Sequence, residues 1–92
     1  MNPKMTHYFI GQLEERNSEY EYQIPVRFIA ASEKAAAKVL TKTAQSWYGK
    51  YSKRDGDYYY FHNGEVRVQA GGYKEIPENV YTALSGFVAE SI

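Results

Sequence analysis

The sequence predicts a small α+β domain: an antiparallel sheet of four to five strands, in the order β-β-α-β-β(-β)-α, with two helices packed on one face. Three observations carry that prediction. Residues 20–30 alternate with strict period two, the signature of a half-buried strand. Ala35, Ala36 and Ala37 follow a Ser32-Glu33 helix start. Asn63-Gly64 stands between two β-prone runs and marks a hairpin, because a type I′ turn needs φ > 0 at both central residues. With 92 residues there is room for one core, so residues 1–92 are expected to form a single domain.

A first strand is expected over His7 to Leu13, with Tyr8 and Ile10 on one face and Phe9 and Leu13 on the other. Glu14, Glu15, Arg16, Asn17 and Ser18 then read as a polar loop. In the second strand Tyr20, Tyr22, Ile24, Val26, Phe28 and Ala30 form one face, and Pro25 places the strand at an edge or at a bulge because proline has no N–H to donate. A helical wheel over residues 33–47 gathers Ala36, Val39, Leu40, Thr43 and Trp47 on one side, with Lys34, Lys38, Thr41, Lys42 and Gln45 opposite. The three lysines stack at i, i+4 and i+8, which is mildly unfavourable for an isolated helix. They form a secondary basic stripe suited to an anionic partner, or a plain solvated face.

Residues 47–53 extend the aromatic pattern as a candidate short strand that turns at Arg54-Asp55-Gly56-Asp57. In the central hairpin, two loop residues set His62 opposite Glu65, Phe61 opposite Val66, Tyr60 opposite Arg67, Tyr59 opposite Val68 and Tyr58 opposite Gln69. Tyr59, Phe61, Val66, Val68 and Ala70 then face the core, while Tyr58, Tyr60, Arg67 and Gln69 face water. Gly71-Gly72 is expected to break the sheet. Pro77, Glu78 and Asn79 open a second helix running to Glu90, with Val80, Leu84, Phe87 and Val88 as its buried stripe. The core expected from these faces is Phe28, Leu40, Trp47, Phe61, Val66, Val68, Leu84 and Phe87.

Composition narrows the function. Eleven basic and eleven acidic residues give zero net charge, which argues against both an acidic nucleic-acid mimic and a generic nucleic-acid binder. Cysteine is absent, so disulfides and thiolate metal sites are unavailable to the chain, and the cytoplasm is the simplest location. No apolar run approaches the roughly 20 residues of a membrane span, and Met1 to Met5 lacks a signal-peptide core, so no membrane partner is expected. His7 and His62 are isolated from any nucleophile, and Asp55-Gly56-Asp57 has two carboxylates on a tight turn without a third ligand. The chain is therefore expected to be no enzyme and to need no cofactor and no metal.

Ten tyrosines among 92 residues point instead to a contact surface, since Tyr joins an apolar body to a polar tip at small entropic cost. The expected partner-binding residues are Tyr58, Tyr60, Arg67 and Gln69, with Tyr51, Lys53 and Arg54 beside them. The same interleaving of basic and aromatic residues from Lys34 to Arg67 leaves an alternative open, a small single-stranded or double-stranded nucleic-acid-binding domain. The helix, meander and helix order from Ser32 has the layout of a double-stranded RNA-binding domain, but the second helix carries acids where that class carries lysine. A homodimer is compatible with either surface.

The opening hairpin, the lack of cysteine, the tyrosine content and the helix start Ala31-Ser32-Glu33-Lys34-Ala35-Ala36-Ala37 together resemble, in layout, the small phage-encoded proteins that block host defences, anti-CRISPR proteins among them. The resemblance implies stoichiometric inhibition. A protein of that class docks on a host protein or ribonucleoprotein complex, a defence nuclease or surveillance complex, in the host cytoplasm, and blocks nucleic-acid access or a conformational change.

Overall fold

A computed structural model of the chain describes residues 6–90; Met1 to Met5 lie outside the described residues. The chain is α+β, but its sheet has six strands and is mixed. In chain order the elements are β1 (His7–Asn17), β2 (Tyr20–Ala30), α1 (Glu33–Gln45), β3 (Lys53–Asp55), β4 (Tyr58–Phe61), β5 (Val66–Ile76), α2 (Glu78–Ala83) and β6 (Ala89–Glu90). Across the sheet the order is β3-β4-β5-β1-β2-β6. All neighbours are antiparallel except β2 and β6, which run parallel through Val26 with Ala89 and Arg27 with Glu90.

β2 has the bounds its alternation predicts. β1 is longer than expected, because the polar run Glu14 to Asn17 is strand and not loop, paired to β2 and to β5 out to Asn17. Only Ser18 and Glu19 join the two strands, with Ser18 in the left-handed region at φ 58°. β2 is neither the edge strand nor bulged at Pro25, since β6 lies outside it, but β6 pairs only with Val26 and Arg27, so Pro25 needs no N–H on that side.

The central hairpin keeps the predicted register, with Tyr59 opposite Val68, Tyr60 opposite Arg67 and Phe61 opposite Val66. Its loop is wider than two residues. His62 (φ 54°), Asn63 (φ 59°) and Gly64 (φ 91°) form a single left-handed run, and the Glu65 N–H closes it on the His62 carbonyl at 3.3 Å. His62 and Glu65 are therefore loop residues and not a cross-strand pair.

Gly71-Gly72 does not break the sheet. β5 passes through both glycines, and its register with β1 shifts between Gly11, opposite Tyr73, and Leu13, opposite Ala70. This is a bulge. A Cβ on Gly71 would lie 2.9 Å from Gln12 Cγ and 3.0 Å from the Gln12 carbonyl oxygen, so the close approach requires glycine.

The core lies between α1 and one face of the sheet. Phe9, Leu13, Val26, Phe28, Tyr59, Phe61, Val66 and Val68 from the strands pack against Ala36, Leu40 and Ala44 of α1. Phe9 and Phe28, which are cross-strand partners, stack with ring centroids 5.4 Å apart. α1 starts as predicted: the Ser32 hydroxyl accepts from the Ala35 N–H at 3.1 Å, and Lys34, Lys38 and Lys42 stay exposed. Trp47 is only partly buried, at the margin of the core.

The expectation that both helices share one face fails. β5 runs to Ile76, opposite Tyr8 on β1, so the chain emerges beside the face that α1 does not cover, and Pro77 turns α2 onto it. There Tyr81 buries its ring against Tyr8, centroids 5.1 Å apart, and under the Arg27 guanidinium at 4.5 Å. α2 ends at Ala83, well before Glu90, so the expected stripe of Val80, Leu84, Phe87 and Val88 never lines up on one helix. Phe87 is 86% exposed and Val80 is exposed as well. Residues 47–52 form no strand; β3 begins only at Lys53 and takes in Arg54 and Asp55, leaving Gly56-Asp57 as the turn.

Candidate functional site: the uncovered sheet face

Alternation along the strands sorts the expected contact residues onto two sides. On the face opposite α1, one cross-strand row runs Lys53, Tyr60, Arg67, Arg16 and Glu21, each opposite the next in register. The adjacent row holds Asp55 opposite Tyr58, and Gln69 opposite Glu14 opposite Gln23. α2 covers only the far end of this face, near Tyr8 and Arg27. The two rows are left open.

Here Tyr58, Tyr60, Arg67, Gln69 and Lys53 come together as predicted. The Arg67 guanidinium lies 4.4 Å from the Tyr58 ring centroid and the Lys53 ammonium 5.8 Å from that of Tyr60. Such contacts draw a cation onto the negative face of the ring, worth about 0.5–1 kcal/mol at exposed sites. Both tyrosines are half-buried. The Gln69 amide donates to Glu14 across the β1–β5 boundary. A groove of 480 Å³ crosses this side of the hairpin, with Arg16, Glu21, Gln23, Tyr58, Arg67 and Gln69 among its lining.

Tyr51 and Arg54 belong elsewhere. Tyr51 packs edge-on against Tyr59 at 5.2 Å, on the α1 side, and the Arg54 guanidinium lies 5.7 Å from the same Tyr59 ring while its Nε donates to the Gly56 carbonyl at 2.9 Å. The cause is parity: Arg54 is opposite Tyr59, a core residue, so it cannot share a face with Lys53. Lys34, Lys38 and Lys42 are also on the α1 side, with the full thickness of the sheet between them and Tyr60.

Sequence reasoning missed Glu14, Arg16 and Glu21, which complete the open face from β1 and β2. The polarity of Glu14 and Arg16 reads as a loop, and Glu21 falls on the polar face of the second strand. The available signal was that Glu14 and Arg16 continue the alternation begun at Tyr8, opposite the polar residues of β2.

Several other polar groups pair within the fold. Glu15, on the core side of β1, is buried and accepts from the Tyr48 hydroxyl, whose ring packs on Phe61 at 5.7 Å and near His62 at 5.6 Å. Burial, and then the Glu15 carboxylate, push the Tyr48 phenol up to about 12. At the other end Tyr81 donates to Glu90, and burial followed by that carboxylate raises its phenol to about 12. His7 Nδ1 donates to Glu75 at 2.8 Å. Among the described residues no three His, Asp or Glu side chains converge as metal ligands, and no helix is long and apolar enough to cross a membrane.

No protein-family model matches the chain, and comparison with curated proteins and with solved structures returns no match.

Proposed function

We propose that this chain is a non-catalytic binding protein that docks on another protein through the uncovered face around Tyr58, Tyr60 and Arg67. One observation carries the reading: two half-buried tyrosines, each with a cation against its ring, stand on the part of the sheet face that neither helix covers. Tyr and Arg are the side chains most enriched where binding energy concentrates. Both rings are half-buried, so part of their side-chain freedom is already lost before contact.

The charge on this face favours a protein over a nucleic acid. Lys53, Arg16 and Arg67 are interspersed with Asp55, Glu14 and Glu21, so a phosphate backbone laid across it meets as many carboxylates as cations. The lysine stripe of α1 adds nothing to it, being on the far side of the sheet. The resemblance of the sequence to phage-encoded inhibitors implies the partner class, a host defence nuclease or surveillance complex whose nucleic-acid access or movement the docked chain obstructs.

Capture from a lysate of the host cell, at low and at moderate salt, tests the reading. A nuclease or ribonucleoprotein subunit retained at moderate salt, and lost on Tyr60→Ala or Arg67→Glu, is the expected outcome. Oligonucleotide binding that falls steeply with salt and disappears on Lys38→Glu with Lys42→Glu, with no protein retained, replaces this reading with the nucleic-acid one.

A further inference from the structure

Arg16 and Arg67 are direct cross-strand partners on β1 and β5, in the uncovered face. Like charges directly opposite destabilise a strand pair. Adjacent strands lie about 4.8 Å apart, so the two side chains share one stretch of surface. Each guanidinium leans away from the other. Arg16 reaches toward Glu21 at a long 3.7 Å with half its side chain exposed, and Arg67 lies over Tyr58. Arg67 is half-buried, yet among the described residues it has no carboxylate within ion-pair distance. Between the arginines and the hairpin loop is a groove of 580 Å³ lined by both arginines, Asn17, Ser18, Tyr60 and Glu65; Glu65 is on its exposed rim and pairs with neither arginine.

We propose that Arg16 and Arg67, with the Tyr60 hydroxyl next in the same row, form a receptor for one carboxylate from an acidic side chain of the partner protein. The inference rests on the protein-docking reading and specifies its chemistry. A carboxylate placed between the two guanidiniums removes their repulsion and accepts charge-assisted hydrogen bonds from both. The neighbouring row decides between anions. Glu14 is two residues along β1 from Arg16, about 7 Å away, and Asp55 continues the same row on β3, two strands over from Arg67, so a nucleic-acid strand with a charge at every nucleotide runs into them. A single acidic residue flanked by neutral ones does not.

The test uses the whole chain, labelled for detection of the arginine Nε–H groups, and titrates it with an end-blocked Gly-Ser-Glu-Ser-Gly peptide, its Gln counterpart and a trithymidylate. The expected result is that the Glu peptide moves the Arg16 and Arg67 signals and leaves Arg54 in place, while the Gln peptide and trithymidylate move neither arginine of the pair. Arg16→Gln and Arg67→Gln each weaken peptide binding about tenfold or more, and Lys50→Gln leaves it unchanged. In the free protein Arg16→Gln does not lower the melting temperature at low salt, because the opposed charges are relieved. Unmoved arginine signals, equal response to the Gln peptide, or a stronger response to trithymidylate overturns the proposal. Partner capture that is lost on Tyr60→Ala but survives Arg16→Gln overturns this carboxylate receptor while leaving the docking reading standing.

Discussion

Tyr48 and Tyr81 are the phenols whose chemistry the fold changes most, and the change has a pH signature. Each is raised to about 12, first by burial and then by a carboxylate that accepts its hydrogen bond, Glu15 for Tyr48 and Glu90 for Tyr81. A group whose folded pKa lies above its unfolded value of 10.0 contributes stability fully present below the unfolded value and lost as the pH passes the folded one. Stability should therefore be level through neutral pH and fall between about pH 10 and 12. Absorbance of the phenolate checks this: Tyr48→Phe and Tyr81→Phe should each remove one late-titrating phenol. Core truncation separates residues that the sequence alone grouped together. Phe61→Ala should cost about 3–5 kcal/mol, because the ring is fully buried, and Leu84→Ala only about 1 kcal/mol, because Leu84 is outside the core. Urea melts measure both, and equal losses for Phe61→Ala and Tyr60→Ala would contradict the hairpin register. Phe28, Leu40, Phe61, Val66 and Val68 were legible as core from periodicity; Phe87 was not, since its exposure follows from where a short helix stops.

Among the elements, β5 shows how a local signal inverts its meaning in a sheet. Paired glycines end an isolated strand, but here β1 supplies hydrogen-bond partners on both sides of the bulge, and the extra residue lets Tyr73 turn to the α1 side, where its ring meets Phe9 at 6.0 Å. Gly71→Ala should cost about 1–3 kcal/mol, since its Cβ would press on the Gln12 backbone, whereas Gly72→Ala, with open space around it, should be close to neutral. Thermal melts of the two variants compare them directly. β1 is the converse case: Glu14 to Asn17 lacks apolar residues, yet pairing on both sides makes it a central strand, and Glu15 is buried because Tyr48 reaches it from the turn after α1.

At the scale of the whole molecule, the sheet separates two chemistries that lie interleaved in the chain. Lys38 and Lys42 are on the α1 side and Tyr60 and Arg67 on the open side, so paired charge reversals on the two sides should act independently in any binding assay. The open side is bounded by the C-terminal segment, which Arg27 holds through bonds from Nε to the Val88 carbonyl at 3.2 Å and from Nη1 to the Tyr81 carbonyl at 3.4 Å, with Glu90 at 3.9 Å. Arg27→Gln should speed amide exchange at Ala89 and Glu90 and in α2, while exchange in the β1–β2 pair stays slow. Exchange that accelerates evenly throughout would show that the segment is not a separate unit.

By itself the sequence determined what depends on neighbours in the chain: the α+β class, the bounds of β2, the capped and amphipathic α1, and the register from Tyr59–Val68 to Phe61–Val66. It also placed Tyr58, Tyr60, Arg67 and Gln69 on one face, because side-chain direction in a strand alternates whatever the strand packs against. The tertiary structure decided what depends on neighbours in space. Strand β1 continues through charged residues because two strands flank it, β5 crosses its glycines because β1 holds both halves, and α2 takes the second face because Ile76 delivers the chain beside Tyr8. The opposition of Arg16 and Arg67 belongs to this second kind, since residues 51 positions apart in the chain meet only when β5 pairs with β1.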